Sequence, residues 1–326
     1  MKKILLKGLT AMALVATTAH AENLVVTSEI PITTNPSPSI EKFLKLIKER
    51  SDGKITGNHY AASQLYNDRD ALGAIGTGAV QMVWPVASRL EQIDERLGII
   101  SLPFTLGTEE FTNQCFVDQF ADDMSKFIEP KGMKILGFAR TAELAFVMRN
   151  KNVINAEDLK DQKIRAIGGK VMLDSLKQVG ASPVSMAASE MSAALAQGAI
   201  DGALTSPAGW HDVLGSSAKH TTLVSGLNLA TSPVVVDKLW YDGLSEELKS
   251  VFDETLAEVL KAQWVETIEK DKELIAAMVE KGGTYHEMVP EQVQIIKERF
   301  ASVSEGFKSK HPELFERIEE IKKSCF

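Results

Sequence analysis

The sequence predicts an α/β protein built from two lobes that face each other across a cleft. Residues 158–207 run as strand, helix, strand, helix, strand, with Arg165 on the first strand, which is the pattern of a small open α/β lobe. Residues 24–87 carry a looser copy of this pattern, and the second helices of the two copies end in similar residues, at 74–81 and 194–201. Because ligands sit beyond the carboxyl ends of the strands in open α/β sheets, two such lobes predict an interlobe binding cleft.

The chain starts with the features of a secretory leader. Three lysines precede a short apolar run at residues 9–16, and an A-x-A cleavage site ends at Ala21. The run is far shorter than the roughly 18 residues that span a bilayer, so we expect a soluble periplasmic protein whose mature chain begins near Glu22. Loss of the three lysines changes the formal net charge from −8 to −11, which argues against nucleic acid or an anionic membrane as a partner. Nothing marks a dimer face, and we expect a monomer.

The elements of the first lobe follow in order along the chain. Strands are predicted at residues 24–29, 54–60 and 81–87, separated by an amphipathic helix at 37–52 and a helix within 67–80. A helical stretch at 109–127 ends before Pro130. Residues 136–150 then read as strands that cross toward the second lobe.

After the second lobe the chain turns back through strand-like residues 221–230 and 232–240. Ser245 is a plausible N-cap for a helix that meets no Pro or Gly until Gly282. Such a helix of about 35 residues would be roughly 50 Å long, which predicts a strut across both lobes. A short strand at 284–290 and two amphipathic helices complete the chain. We expect residues 22–145 with 228–255 to form lobe I, and residues 146–227 with 256–326 to form lobe II.

The chain has two cysteines, Cys115 and Cys325. Export permits a disulfide between them, which would tie the C-terminal tail to the first lobe. Two unpaired thiols are the alternative, because sequence separation does not reveal whether the two Cα atoms come within bonding distance.

Sequence signatures of cofactor and catalytic sites are absent. The six histidines form no H-E-x-x-H, the cysteines form no C-x-x-C, and the glycines at 73, 76 and 78 fall late in a helix with no G-K-[ST] after them. The sequence also contains no G-x-S-x-G elbow for a nucleophile. We therefore expect no metal, no cofactor and no enzymatic activity.

Several motifs in order carry a family likeness. They are SDGKITGNHYAASQL, DALGAIGTGAVQM, LPF at 102–104, EDLKDQKIRA, VGASPVSMAASEMSAALAQGAIDGA and LWYDGLSEELKSVFDE. With them the chain resembles the substrate-binding proteins of tripartite ATP-independent periplasmic (TRAP) transporters, the family of the dicarboxylate-binding component DctP. The resemblance implies a two-lobed periplasmic binding protein fold with hinge strands and a long C-terminal helix spanning both lobes, whose cleft closes around a ligand.

The resemblance also implies a role for Arg165. In this family the arginine of the K-[IL]-R motif forms a salt bridge with the ligand carboxylate, and the motif falls on Arg165 here. A guanidinium offers two parallel donors that match a carboxylate. The alternative is that Arg165 pairs with a structural acid such as Asp158 or Asp201.

Other cleft residues are proposed by likeness and position. A second cleft arginine is common in the family, and Arg149 and Arg140 are both candidates. The family often carries Asn where this chain has Thr205 and Ser206, so hydroxyls replace an amide near the ligand.

Two tryptophans and two hydroxyl residues complete the set of site candidates. Trp84 and Trp210 follow the third strand of each lobe and could cover an apolar face of a ligand from opposing rims, or pack in a core. Ser28 and Thr33 follow the first strand and could hydrogen-bond to ligand hydroxyls, although loop polarity alone explains them as well.

The function that these observations indicate is the capture of a small organic acid and its delivery to an ion-gradient-driven TRAP membrane permease. A binding component for a sensor or an ATP-driven importer of another small solute is the alternative. The ligand itself stays open, since two arginines would favour a dicarboxylate and hydroxyl side chains a hydroxylated or sugar acid.

Overall fold

The computed structural model describes residues 22–326, and the predicted leader with its cleavage site lies outside the described residues. The strands are β1 (Glu22–Thr27), β2 (Ile55–Tyr60), β3 (Met82–Val83), β4 (Met133–Glu143), β5 (Ala145–Met148), β6 (Lys163–Ala166), β7 (Ser182–Ser185), β8 (Gly202–Thr205), β9 (His220–Leu223), β10 (Leu229–Asp237) and β11 (Thr284–Glu287). The helices are α1 (Ser37–Arg50), α2 (Asp68–Ala74), α3 (Thr108–Thr112), α4 (Gln114–Ser125), α5 (Lys170–Gln178), α6 (Met191–Ala196), α7 (Lys238–Gly243), α8 (Glu246–Glu280), α9 (Pro290–Lys310) and α10 (Pro312–Cys325).

Two separate sheets define the two lobes. The first has the order β2-β1-β3-β10-β4, and the second has the order β11-β9-β5-β8-β6-β7. In the first sheet β1 is parallel to β2 and β3. In the second, β6 is parallel to β7 and β8, whereas β5 is antiparallel to β8 and β9. The predicted two-lobed α/β fold is therefore confirmed.

The two lobes are joined where the chain leaves one sheet for the other. The chain passes from β4 to β5 at Leu144 and returns from β9 to β10 through residues 224–228. The two connections run side by side, since the backbone N–H of Leu144 donates to the carbonyl of Asn228 at 3.0 Å. These two connections form the hinge between the lobes.

The long helix α8 crosses both lobes, as predicted. It begins after Ser245, whose hydroxyl accepts the backbone N–H of Leu248 at 3.3 Å, a standard N-cap. Its first half packs Phe252 and Leu256 into the core of the first lobe, and near its end Met278 joins a core of the second lobe. The helix therefore serves as a strut along the hinge.

The C-terminal helices divide between the lobes. Helix α9 packs on α5 of the second lobe, where Ile296 and Phe300 are buried. Helix α10 packs instead on α4 of the first lobe, and a disulfide joins Cys115 to Cys325 with a Cα–Cα distance of 5.6 Å. The structure thus differs from the expected boundary, because residues 312–326 lie on lobe I rather than lobe II.

The part of α8 just after residue 255 also differs from the expected boundary. Val259 and Leu260 were expected in lobe II, but both pack in the core of the first lobe with Phe252. A long helix has no break at which the chain changes lobe, so contacts rather than sequence set the division.

Candidate functional site

The carboxyl ends of the parallel strands in the two sheets lie toward each other, and the loops beyond them are in contact. A methyl group on Gly168, in the loop after β6, would lie 3.5 Å from Nη1 of Arg89 in the first lobe. Thr34 of the first lobe donates to Asp212 of the second at 3.5 Å. The structure therefore shows the lobes closed over the cleft.

Arg165 lies on β6, paired with Ala203 of β8 on one side and Val184 of β7 on the other. Its side chain is buried, and Nε and Nη2 donate to the carbonyl of Met186 at 3.1 and 2.9 Å. Burial, and then the charge of Arg89, lower the pKa of Arg165 to about 10. Among the ion pairs of the described residues, none includes Arg165.

The structural acids considered as partners of Arg165 are engaged elsewhere. Asp158 pairs with Lys151 and accepts the backbone N–H of Ile154 at 2.9 Å. Asp201 accepts the backbone N–H of Lys163 at 2.8 Å. The guanidinium of Arg165 is therefore a buried cation whose charge is not offset by either acid.

Arg89 is a cleft residue that the sequence analysis missed. It lies in a short 3₁₀ helix, Ala87–Gln92, which follows the carboxyl end of β3. Its Nε is buried and has no hydrogen-bond partner among the described residues. The rule that ligands sit beyond strand ends could have directed attention to this segment. The charge of Arg89 acts on Arg165, so two guanidinium groups, one from each lobe, lie near each other.

Two acids of the first lobe lie beside this pair of arginines and were also missed. Asp68 is almost fully buried and accepts the backbone N–H groups of Glu29 and Val86 at 3.2 and 3.1 Å. Burial, and then the charge of Glu29, raise the pKa of Asp68 to about 7. Glu29 also acts on Arg165, whose pKa its charge raises. The cleft therefore combines one cation from each lobe with a buried carboxyl whose pKa is raised to about 7.

The two predicted second arginines do not lie with Arg165. Arg149 follows β5, and because β5 is antiparallel to β8, it lies beside Asp201 at the opposite edge of the sheet from the cleft loops. Arg140 is buried on β4 and pairs with Asp271 of α8 at 2.6 Å. Burial raises the pKa of Asp271 to about 6, with Arg140 opposing that rise.

The two tryptophans are core residues rather than exposed cleft rims. Trp84 is fully buried in the first lobe, and its Nε1 donates to the sulfur of Met82 at 3.0 Å. Trp210 is fully buried in the second lobe, and its Nε1 donates to the carbonyl of Ala218 at 2.7 Å. Trp210 also forms part of the wall of a cavity next to α8.

The predicted hydroxyl residues are placed differently from one another. Ser28 is fully buried and its hydroxyl hydrogen-bonds to His59 Nε2 at 2.8 Å, whereas Thr33 is exposed in a turn. Ser206 follows β8, and its hydroxyl accepts the backbone N–H of Gly209, the first residue of a π-helical turn, at 3.0 Å. Thr205 is buried at the end of β8. Ser206 therefore lies near the cleft edge, whereas the hydroxyl of Ser28 is hydrogen-bonded within the first lobe.

Two features are absent from the part of the chain that the structure describes. Within residues 22–326 no group of three or more His, Cys, Asp and Glu side chains could hold a metal ion. Over the same residues, no helix has the length and apolar character required to cross a membrane.

Comparisons with known proteins match nearly the whole chain. The model of the DctP family, described as bacterial extracellular solute-binding protein family 7, matches residues 29–310. The C4-dicarboxylate-binding periplasmic protein DctP of Rhodobacter capsulatus is 26% identical over 319 residues, which cover 96% of this chain and 93% of that protein.

Solved structures share the fold. A TRAP periplasmic solute binding protein from Sulfitobacter sp. NAS-14.1 with bound β-D-galacturonate superposes with a TM-score of 0.83 at 18% identity, covering 93% of this chain and 100% of that one. A TRAP periplasmic solute binding protein from Sulfurospirillum deleyianum with bound succinate gives a TM-score of 0.81 at 21% identity, covering 93% and 99%.

Proposed function

Because the chain belongs to the DctP family of bacterial extracellular solute-binding proteins, we propose that its interlobe cleft captures a small organic acid and that Arg165 holds the carboxylate. Family membership confirms the resemblance that the sequence motifs carry. Relatives are named for C4-dicarboxylates and for 2,3-diketo-L-gulonate, and similar structures hold succinate or uronates. A carboxylate is the group that all of these ligands have in common.

The observation that carries the proposal is the buried cation of Arg165. The charge of Glu29 favours the Arg165 cation but forms no ion pair with it, and a buried charge without an ion pair is unfavourable. A ligand carboxylate between the lobes would offset the charge with charge-assisted hydrogen bonds. Arg89 approaches from the other lobe, and two like charges in a closed cleft repel each other. An anion bound between the two guanidinium groups would offset both the buried charge of Arg165 and the repulsion between Arg165 and Arg89. It can contact both groups only when the lobes are closed.

This arrangement links binding to closure. A carboxylate that contacts Arg165 alone gains one set of hydrogen bonds, whereas the closed form adds those of Arg89. The ligand would therefore shift the population toward the closed state in proportion to this difference. The protein would work in the periplasm without catalysis, and its closed form would deliver the acid to an ion-gradient-driven TRAP permease.

The test is a binding screen with matched arginine variants. We expect succinate, D-glucuronate or another small acid to raise the melting temperature of the ligand-stripped wild type. At 100 times the dissociation constant, the ligand should add about 2.7 kcal/mol to the free energy of unfolding. Arg165→Ala should abolish this shift, and Arg149→Ala, which removes an arginine at the far edge of the same sheet, should keep it. An equal response in all three proteins would contradict the proposal.

A further inference from the structure

The cavity that Trp210 lines, here called the hinge pocket, lies between α8 and the second sheet. Its volume is about 220 Å³, and its wall includes Arg140 of β4, Val147 of β5, Thr221 of β9 and Asp271 of α8. A cavity of about 30 Å³ on the other face of the hinge has room for about two waters, since a water needs roughly 10–15 Å³. The hinge pocket is large enough for an organic group of several atoms.

Two buried polar atoms of the pocket wall lack partners. Arg140 Nε and Thr221 Oγ1 have no hydrogen-bond partner within the described part of the chain, although these residues are only 6% and 2% exposed. The other end of Arg140 is occupied, because Nη1 donates to Asp271. Buried polar atoms are normally satisfied by protein or by a bound molecule, so these two atoms indicate an occupant.

The charges of the wall restrict the chemistry of that occupant. Asp271 already compensates Arg140, and the pocket is also lined by Glu143 and Glu287, which form no ion pair among the described residues. Lys272 lines it too, but its Nζ contacts Glu269 at 2.8 Å on the exposed side of α8. Glu143 accepts the backbone N–H of Gly226 at 2.7 Å and Glu287 accepts the hydroxyl of Tyr285 at 3.3 Å, but no cation compensates their charges among the described residues, so both would repel a carboxylate in the pocket.

A hydroxyl group suits both features of the pocket. It accepts a hydrogen bond from Arg140 Nε–H, which an ammonium group cannot do, and it donates to Glu143 or Glu287. Thr221 can donate to it or accept from it. We propose that the hinge pocket is a binding site for the hydroxyl groups of a small polyhydroxylated molecule.

This polyhydroxylated group has two possible sources. Val147 in the pocket wall pairs with Ala203, which pairs with Arg165, so the three residues form one row across adjacent strands. Strands lie about 4.8 Å apart, which puts the Cα atoms of Val147 and Arg165 about 10 Å apart. The hydroxylated end of an acid held at Arg165 is one source, and this version rests on the proposed function. A separate neutral polyol is the other.

The experiment is calorimetric titration of D-gluconate, hexanoate and D-glucitol into the ligand-stripped protein. Thr221→Val removes an unpartnered hydroxyl at nearly constant shape, so the variant should fold at least as well as the wild type. Thr231→Val is its matched control, because Thr231 Oγ1 is also buried without a partner among the described residues but lines the 30 Å³ cavity. Arg165→Ala separates the two sources.

We expect Thr221→Val to weaken gluconate binding about five- to tenfold, the value of one hydrogen bond, and to leave hexanoate unchanged. Gluconate binding that is lost in Arg165→Ala as well assigns the pocket to the end of the acid. Glucitol binding that survives Arg165→Ala but weakens in Thr221→Val assigns it to a free polyol. If neither gluconate nor glucitol responds to Thr221→Val, whether or not they bind, the inference is overturned. Loss of gluconate binding in Arg165→Ala alone would in that case still support the proposed function.

Discussion

Glu91 of the first lobe accepts a hydrogen bond from the backbone N–H of Val171 in the second lobe, with 3.4 Å between Oε2 and N. Val171 lies in the first turn of α5, so the carboxylate of one lobe faces the N-terminus of a helix in the other. Gly169 makes this approach possible, because a methyl group there would lie 2.8 Å from Glu91 Oε1. The contact joins the lobes in the closed form.

Glu91 should make stability depend on pH. Burial raises its pKa to about 6 from an ordinary 4.5, so the folded protein binds this proton more tightly than the unfolded chain does. Its contribution to the free energy of unfolding is therefore present below about pH 4.5 and is lost as the pH rises through about 6. Glu91→Gln keeps an acceptor for Val171 but does not titrate. Between pH 4.5 and 7 we expect the variant to gain stability relative to the wild type in urea unfolding, and parallel pH profiles would contradict this.

Arg89 should contribute to carboxylate affinity from the first lobe. Loss of a charge-assisted hydrogen bond costs about 1.5–3 kcal/mol, so Arg89→Ala should weaken the acid identified in the screen by about 10- to 100-fold, measured by calorimetry. Arg96→Ala is a suitable control, because Arg96 pairs with Asp94 at 2.6 Å on the surface and not with the cleft. Unchanged affinity in Arg89→Ala would show that the second guanidinium does not contact the ligand.

The disulfide should stabilise the first lobe by holding α10 on α4. It closes a loop of 210 residues in sequence separation, and removal of such a bond typically costs about 2–4 kcal/mol. We expect the double variant Cys115→Ser with Cys325→Ser to unfold at lower urea than the wild type. A reductant should lower the midpoint of the wild type and leave the double variant unchanged. A wild type insensitive to reductant would argue that the bond does not contribute.

Gln263 should anchor the strut to the hinge. Its Oε1 accepts the backbone N–H of Arg140 at 2.8 Å, and its Nε2 donates to the carbonyl of Arg140 at 2.6 Å. Gln263→Ala leaves both buried backbone groups unpaired, at about 1–3 kcal/mol each. We expect a loss of about 2–5 kcal/mol in chemical denaturation. Lys261→Ala, at an exposed position of the same helix, should change stability by less than about 0.5 kcal/mol.

The hydrophobic and turn patterns of the sequence predicted most of the fold correctly. The strands around residues 24–29, 54–60 and 163–166 and the 35-residue helix α8 lie where periodicity and capping placed them. A single helix predicted at 109–127 is interrupted at Asn113, whose side chain accepts the backbone N–H of Phe116 and begins α4. Asn competes with the helix backbone for hydrogen bonds, so this break has a local cause.

Sequence by itself determined the local features: the order of the elements, the N-cap of α8, and the position of Arg165 on the first strand of the second lobe. Only the tertiary structure decided which side chains share the cleft. The direction of β5 puts Arg149 at the far edge of the sheet, and the contact between the lobes puts Arg89 near Arg165. The packing of α10 on α4 decides that Cys115 and Cys325 meet. Strand direction, burial and lobe contact depend on neighbours distant along the chain, whereas periodicity and capping depend on residues within a few positions.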